Sequence, residues 1–175
     1  NKYDKNKLLI NNLNKFEEVK SYSFFIEKKA IAISNDKKSL FKIKAINIEK
    51  IDSVYNFLKN INLNKKSNHE FILGSGVANR LGVILGDEIK LMNPIDNQLY
   101  LSMPKIITGR VTQIFETKIL DFDQTFIFIP IFDGKRLFNQ YDFFDGVDIR
   151  LNSNKNKNFF KEKINIKFSK NFEIK

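Results

Sequence analysis

Residues 71–94 read FILGSGVANRLGVILGDEIKLMNP. Whether these glycines build a phosphate site or punctuate a fold decides how the rest of the chain is read. The apolar run Phe71-Ile72-Leu73 leads into Gly74-Ser75-Gly76, where a dinucleotide fingerprint would place its turn. That fingerprint needs a third glycine so that the following helix packs closely on the strand, and the position holds Asn79. A P-loop ends in Gly-Lys-Ser/Thr because its lysine reaches the terminal phosphates, and Leu81-Gly82-Val83 has no such lysine. As punctuation, each residue has a place. Ser75 is expected to cap a helix of two turns, with Val77 and Leu81 as its apolar stripe and Gly82 at the left-handed C-terminal position. Gly86-Asp87 then turns the chain into a strand over 88–93, closed by Pro94.

Outward from this stretch, the first half alternates helical and extended patterns. Leu9, Leu13 and Phe16 sit at helical spacing after Asp4, a candidate N-cap. Residues 21–34 (SYSFFIEKKAIAIS) alternate as a strand, and Lys28-Lys29 suggests a hairpin or a bend. A turn at 35–38 precedes a strand over 40–47. Ile51, Val54, Tyr55, Leu58 and Ile61 then follow the 3–4 spacing of an amphipathic helix.

After the polar loop 62–70 the chain reads mainly as strands, at 105–116, 125–131 and 146–151. Pro130 cannot donate to a ladder, so its end of the strand is expected at an edge or terminus. Asp133 reads as the N-cap of a short helix. Val147, Ile149 and Leu151 share one face of the last of these strands. The tail offers a short helix near 158–163 and a final strand. This order predicts an α+β fold, with a mixed α/β subdomain from 1–64 and 152–175 and an inserted β-rich subdomain over 65–151.

Composition bounds the functions. The chain has 175 residues, 42% hydrophobic and 13% aromatic, which suits a packed core and argues against disorder. The longest apolar run, FIFIPIF at 126–132, falls far short of the ~20 residues that span a bilayer. The chain does not start with Met, so a piece of a longer protein is expected. Without cysteine, thiolate metal sites and cysteine nucleophiles are excluded, and the lone His69 cannot form a multi-histidine site. His69 is expected to be an ordinary exposed loop residue. A net charge of +10 invites a nucleic-acid reading, but the lysines are dispersed and only Arg80, Arg110, Arg136 and Arg150 are arginines. The joint excess of lysine, asparagine, isoleucine and phenylalanine points instead to AT-rich coding. Attraction to anionic lipid headgroups stays open.

Two segments remain as chemical candidates. Asp121 and Asp123 stand two apart, so on an extended chain their carboxylates would face the same way. No neighbouring group supplies a metal ligand or a base, and a solvated connection is the expectation. No catalytic constellation and no cofactor site is found. Residues 95–108, IDNQLYLSMPKIIT, are different: this nearly uncharged connection joins two strands. It is either a hairpin packed on the body or an exposed, partner-binding arm.

The stretch 72–94, together with residues 109–138 (GRVTQIFETKILDFDQTFIFIPIFDGKRLF) and DGVDIRL at 145–151, resembles a known family. The spacing is similar to the extracytoplasmic domain of permeases of the lipoprotein-releasing (Lol) ABC transporter, within the wider macrolide-exporter-like class. The resemblance implies a non-catalytic periplasmic domain of an inner-membrane permease, with ATP hydrolysis in a separate cytoplasmic subunit. It implies a second permease subunit, and lipoprotein passed to a periplasmic carrier. It also implies a protruding hairpin at 95–108 that contacts the partner through Leu99, Tyr100, Leu101, Ser102, Met103, Pro104 and Lys105. The alternatives are an exporter-type permease domain docking a periplasmic adaptor, and a basic nucleic-acid-binding module.

Overall fold

The computed structural model describes residues 13–58, 69–94, 104–153 and 157–168 of the chain. Among the described residues, seven strands, β1 (Val19–Ser34), β2 (Lys37–Ile46), β3 (Glu70–Gly74), β4 (Glu88–Met92), β5 (Ile106–Phe115), β6 (Phe126–Pro130) and β7 (Gly146–Leu151), form one mixed sheet in the order β2-β6-β3-β5-β4-β1-β7, and β2 also pairs with β1. That extra pairing closes β1, β2, β6, β3, β5 and β4 into a ring. The fold is α+β, as the sequence predicts.

The ring depends on β1 (Val19–Ser34), a strand of 16 residues. Its second half pairs antiparallel with β2 (Lys37–Ile46) through the turn Asn35-Asp36. Asn35 takes a positive φ of 49°, the conformation a tight hairpin of this hand requires. Lys28 and Lys29 do not break the strand. They lie opposite Ile43 and Lys42, because a continuous ladder outweighs the low β-propensity of two lysines.

Alternate residues of β1 and β2 face the ring's interior. Ile26, Ala30, Ala32, Phe41, Ile43 and Ala45 are all buried there. β3 (Glu70–Gly74) runs parallel to β5 (Ile106–Phe115) and antiparallel to β6 (Phe126–Pro130). β4 (Glu88–Met92) runs antiparallel to both β5 and β1. These strands lie close to where the sequence reading places them, and Pro130 is the last residue of its strand.

Because β3 and β6 point in opposite directions, the helices that follow them plug opposite ends of the ring. α2 (Ser75–Leu81) follows β3 and buries Val77, Ala78 and Leu81 in the central core. α4 (Ile131–Phe138) follows β6 and buries Leu137 and Phe138 in the same core. The left-handed Gly82, at φ +67°, ends α2 as expected. Ser75 is not the cap. Gly74 holds that position and Ser75 is the first helical residue.

The segment 48–58 departs from its predicted continuous helix. It forms a 3-10 turn (Ile48–Lys50), a single α-turn α1 (Ile51–Val54) and a second 3-10 turn (Asn56–Leu58). Tyr55 breaks it at φ −106°, ψ 81°. Of the predicted apolar face, Ile51, Tyr55 and Leu58 are buried with Ile48 against Phe115 and Phe128, Val54 is half-buried, and Ile61 lies outside the described residues. Packing on the sheet fixes which residues point inward, and the Tyr55 contact described below overrides local helical continuity.

β7 (Gly146–Leu151) pairs with the first half of β1. Val147, Ile149 and Leu151 share a face, as predicted, and pack with Leu13, Phe160 and Ile164. Phe160 and Ile164 lie on α5 (Lys157–Phe168), which is longer than the predicted 158–163 helix and includes part of the segment read as the final strand. Lys163 and Glu18, 2.6 Å apart, tie α5 to the entry of β1. The ion pair holds the Glu18 carboxyl below its ordinary range. The predicted helix over 4–16 lies largely outside the described residues.

Candidate partner-binding site

Residues 95–103 connect the two strands of an antiparallel hairpin. β4 and β5 pair from Glu88 opposite Arg110 to Met92 opposite Ile106. One further bond, Asn93 N–H to the Lys105 carbonyl at 3.1 Å, carries the pairing outward to the arm's root. Pro94 and Pro104 follow on either side, and neither has an N–H with which to extend the ladder. Pro104 is exposed and Lys105 is half-buried. Leu99, Tyr100, Leu101, Ser102 and Met103 lie outside the described residues.

The root lies at the α4 end of the ring. Glu70, the first residue of β3, pairs with Arg110, so the earlier residues 106–109 of β5 extend past the start of β3. His69 precedes β3 at this same end, with a positive φ of 67°. Its backbone N–H donates to Oδ2 of Asp133 at 2.7 Å, and its Nδ1 lies 2.9 Å from Oδ1. Asp133 is fully buried in the first turn of α4. It is not the N-cap that the sequence suggests; Pro130 holds that position and Asp133 lies inside the first turn. Burial pushes its carboxyl above the ordinary range against the opposing pull of the His69 N–H and ring and of Arg136. His69 is half-exposed, but its backbone and ring anchor the start of β3 to α4.

The other candidates resolve into packing. Asp121 and Asp123 sit on a helical turn, α3 (Leu120–Asp123), so their side chains do not share a face as a dyad. Asp123 is buried rather than solvated, and accepts from the Thr117 N–H, the Thr117 hydroxyl and the Lys118 N–H at 2.7–3.0 Å. Lys118, with φ 66°, is held in that turn. The glycines are packing devices too. A Cβ on Gly74 would run into the Asp123 carbonyl, and one on Gly76 would meet Gln124. At the start of α2 the chain thus packs directly on residues 123–124. Among the described residues, no group of three or more His, Asp or Glu could hold a metal ion.

Two arrangements escaped the sequence. Tyr55 OH donates to Oδ2 of Asp148 at 2.6 Å, and the same oxygen lies 2.8 Å from Lys44 Nζ. Burial and then Asp148 push the Tyr55 phenol far above its ordinary range, so it stays a neutral donor. Around it, Phe57, Phe115, Phe122, Phe126 and Phe128 form a ring-on-ring cluster with centroids 4.6–6.1 Å apart. The abundance of phenylalanine, 18 residues, was visible in the sequence. Their convergence from three separate segments was not.

No family model matches the chain, and no curated protein matches it by sequence. Solved structures do match. The chain is similar to the extracellular domain of the ABC-type transporter YknZ from Gram-positive bacteria, at 14% identity and a TM-score of 0.54, covering 91% of this chain and 82% of that one. It is also similar to the periplasmic region of MacB from Actinobacillus actinomycetemcomitans, at 13% identity and a TM-score of 0.56, covering 91% of this chain and 71% of that one. The chain thus shares its fold with the extracellular domain of YknZ and the periplasmic region of MacB.

Proposed function

We propose that this chain is the non-catalytic periplasmic domain of an inner-membrane ABC permease that releases lipoproteins and passes them to a periplasmic carrier. The observation that carries this reading is the β4–β5 hairpin, which leads into residues 95–103, on a fold shared with transporter extracytoplasmic domains. A hairpin rooted on two long-paired strands of a closed ring moves as one body with the ring, so helix motion in an attached membrane part would be passed to its tip. In this reading residues 99–105 meet the carrier, a separate cytoplasmic subunit hydrolyses ATP, and a second permease completes the transporter.

Calorimetry of carrier binding to the wild-type chain and to Leu101→Asp plus Met103→Asp tests it. Loss of binding with an unchanged circular dichroism spectrum is expected, and unchanged affinity would sink the assignment. A second reading, an exporter-type permease domain docking a periplasmic adaptor, draws on the likeness to YknZ and MacB domains, whose names specify no lipoprotein. A pull-down that recovers an adaptor and no carrier would favour it.

A further inference from the structure

The register of the ring lines up an apolar row on its outer surface. Leu40 of β2 pairs with Ile31 of β1, Ile31 with Met92 of β4, and Met92 with Ile106 of β5. Directly opposed residues share a face, and the neighbours of these four along each strand point into the core, so all four face outward. At ordinary strand spacing the row is about 14 Å long. Leu40 and Ile106 are each 50% exposed, and Ile31 and Met92 are half-buried between them.

Lysines frame this row on both sides. One flank has Lys29 opposite Lys42; the other has Lys38 opposite Ile33, which in turn faces Lys90. All four lysines are exposed. The acids at outward positions of β1 and β4 stand opposite cations: Glu27 faces Lys44 and Glu88 faces Arg110. They leave the row's own frame without a negative charge.

We infer that the Leu40-Ile31-Met92-Ile106 row and its lysine frame form a contact surface for an anionic phospholipid bilayer. The chemistry of the frame favours lipid over protein. Protein interfaces enrich arginine and deplete lysine, because the guanidinium fork pairs bidentately with carboxylates. Lysine, a compact charge on a long apolar stem, suits a fluid layer of phosphate headgroups, with its stem lying along the apolar row. Short aliphatic side chains between such lysines reach the headgroup–acyl boundary without spanning anything. The inference goes beyond the permease reading and does not depend on it.

Vesicle sedimentation of the 175-residue chain provides the test, with phosphatidylglycerol-containing vesicles against pure phosphatidylcholine. Binding to the anionic vesicles alone, weakened by added salt but not displaced by equimolar inorganic phosphate, is expected. Lys38→Glu plus Lys90→Glu should lower it at least about tenfold, and Leu40→Ser plus Ile106→Ser about fivefold, with folding checked by circular dichroism. Absent binding, or equal binding to both vesicle types, would overturn the proposal. So would an effect of the lysine pair alone, which would mean diffuse adsorption by the +10 chain. Lipid-free binding of an acidic, leucine-rich peptide, lost in the same variants while vesicles fail to bind, would give the row to a protein partner and also overturn it.

Discussion

Asp133, fully buried in α4, is met by both the backbone N–H and the ring of His69, at 2.7 and 2.9 Å. This joins the start of β3 to the helix that plugs the arm end of the ring, across 64 residues of chain.

Burial of Asp133, against the opposing pull of His69, makes stability depend on pH in a defined direction. The Asp133 carboxyl is raised above the ordinary 3.8, so as pH climbs the unfolded chain releases its proton first. The stabilisation is full below that ordinary value and is lost as pH rises through the folded-state value. Asp133→Asn keeps an oxygen for the His69 N–H and removes the titration. Urea unfolding between about pH 4 and pH 7 should show a flatter profile for the variant than for wild type. Parallel profiles would show that the carboxyl does not set the slope.

Gly74→Ala tests the close approach behind the glycine stretch. The added Cβ meets a backbone carbonyl, which cannot rotate away as a side chain would. A loss of about 2–4 kcal/mol in thermal unfolding is expected. A stability within about 0.5 kcal/mol of wild type would mean α2 is not pressed against 123–124.

The aromatic cluster predicts a gradient. Phe128 is buried at its centre and Phe57, 43% exposed, covers it. Phe128→Ala should cost about 3–5 kcal/mol and Phe57→Ala about 1–2 kcal/mol by chemical denaturation. A reversed order would relocate the centre of the cluster.

Tyr55→Phe removes the donor to Asp148 while Lys44 remains beside it. About 1–2 kcal/mol of stability should be lost. Because burial and Asp148 hold the phenol neutral, the loss should be the same at about pH 6 and about pH 9. A cost that vanishes at the higher pH would mean that the phenol ionises there.

Strand positions were legible because local patterns encode them. The period-2 alternation at 146–151 and the Gly82 stop need only nearest neighbours along the chain. The interrupted helix at 48–58 was not legible. Its 3–4 spacing named Ile51, Tyr55 and Leu58, which are buried, and Val54, which is half-buried, but the break at Tyr55 goes with a partner, Asp148, 93 residues away. The roles of Asp133 and Asp123 were missed for the same reason. A carboxylate near a helix start reads as exposed, and only packing shows that backbone N–H groups from other turns converge on it. The segment 95–108 was marked in the sequence by its apolar composition and by Pro94 and Pro104, and the structure shows that the strands flanking it pair antiparallel.

The sequence by itself determined most of the strands and the turn glycines, since periodicity and backbone freedom are local properties. Only the tertiary structure decided that β1 closes six strands into a ring. It also decided that α2 and α4 plug opposite ends and that Leu40, Ile31, Met92 and Ile106 stand in one row. Register between distant strands is set by which faces can be buried together, and that is a property of the whole packed core.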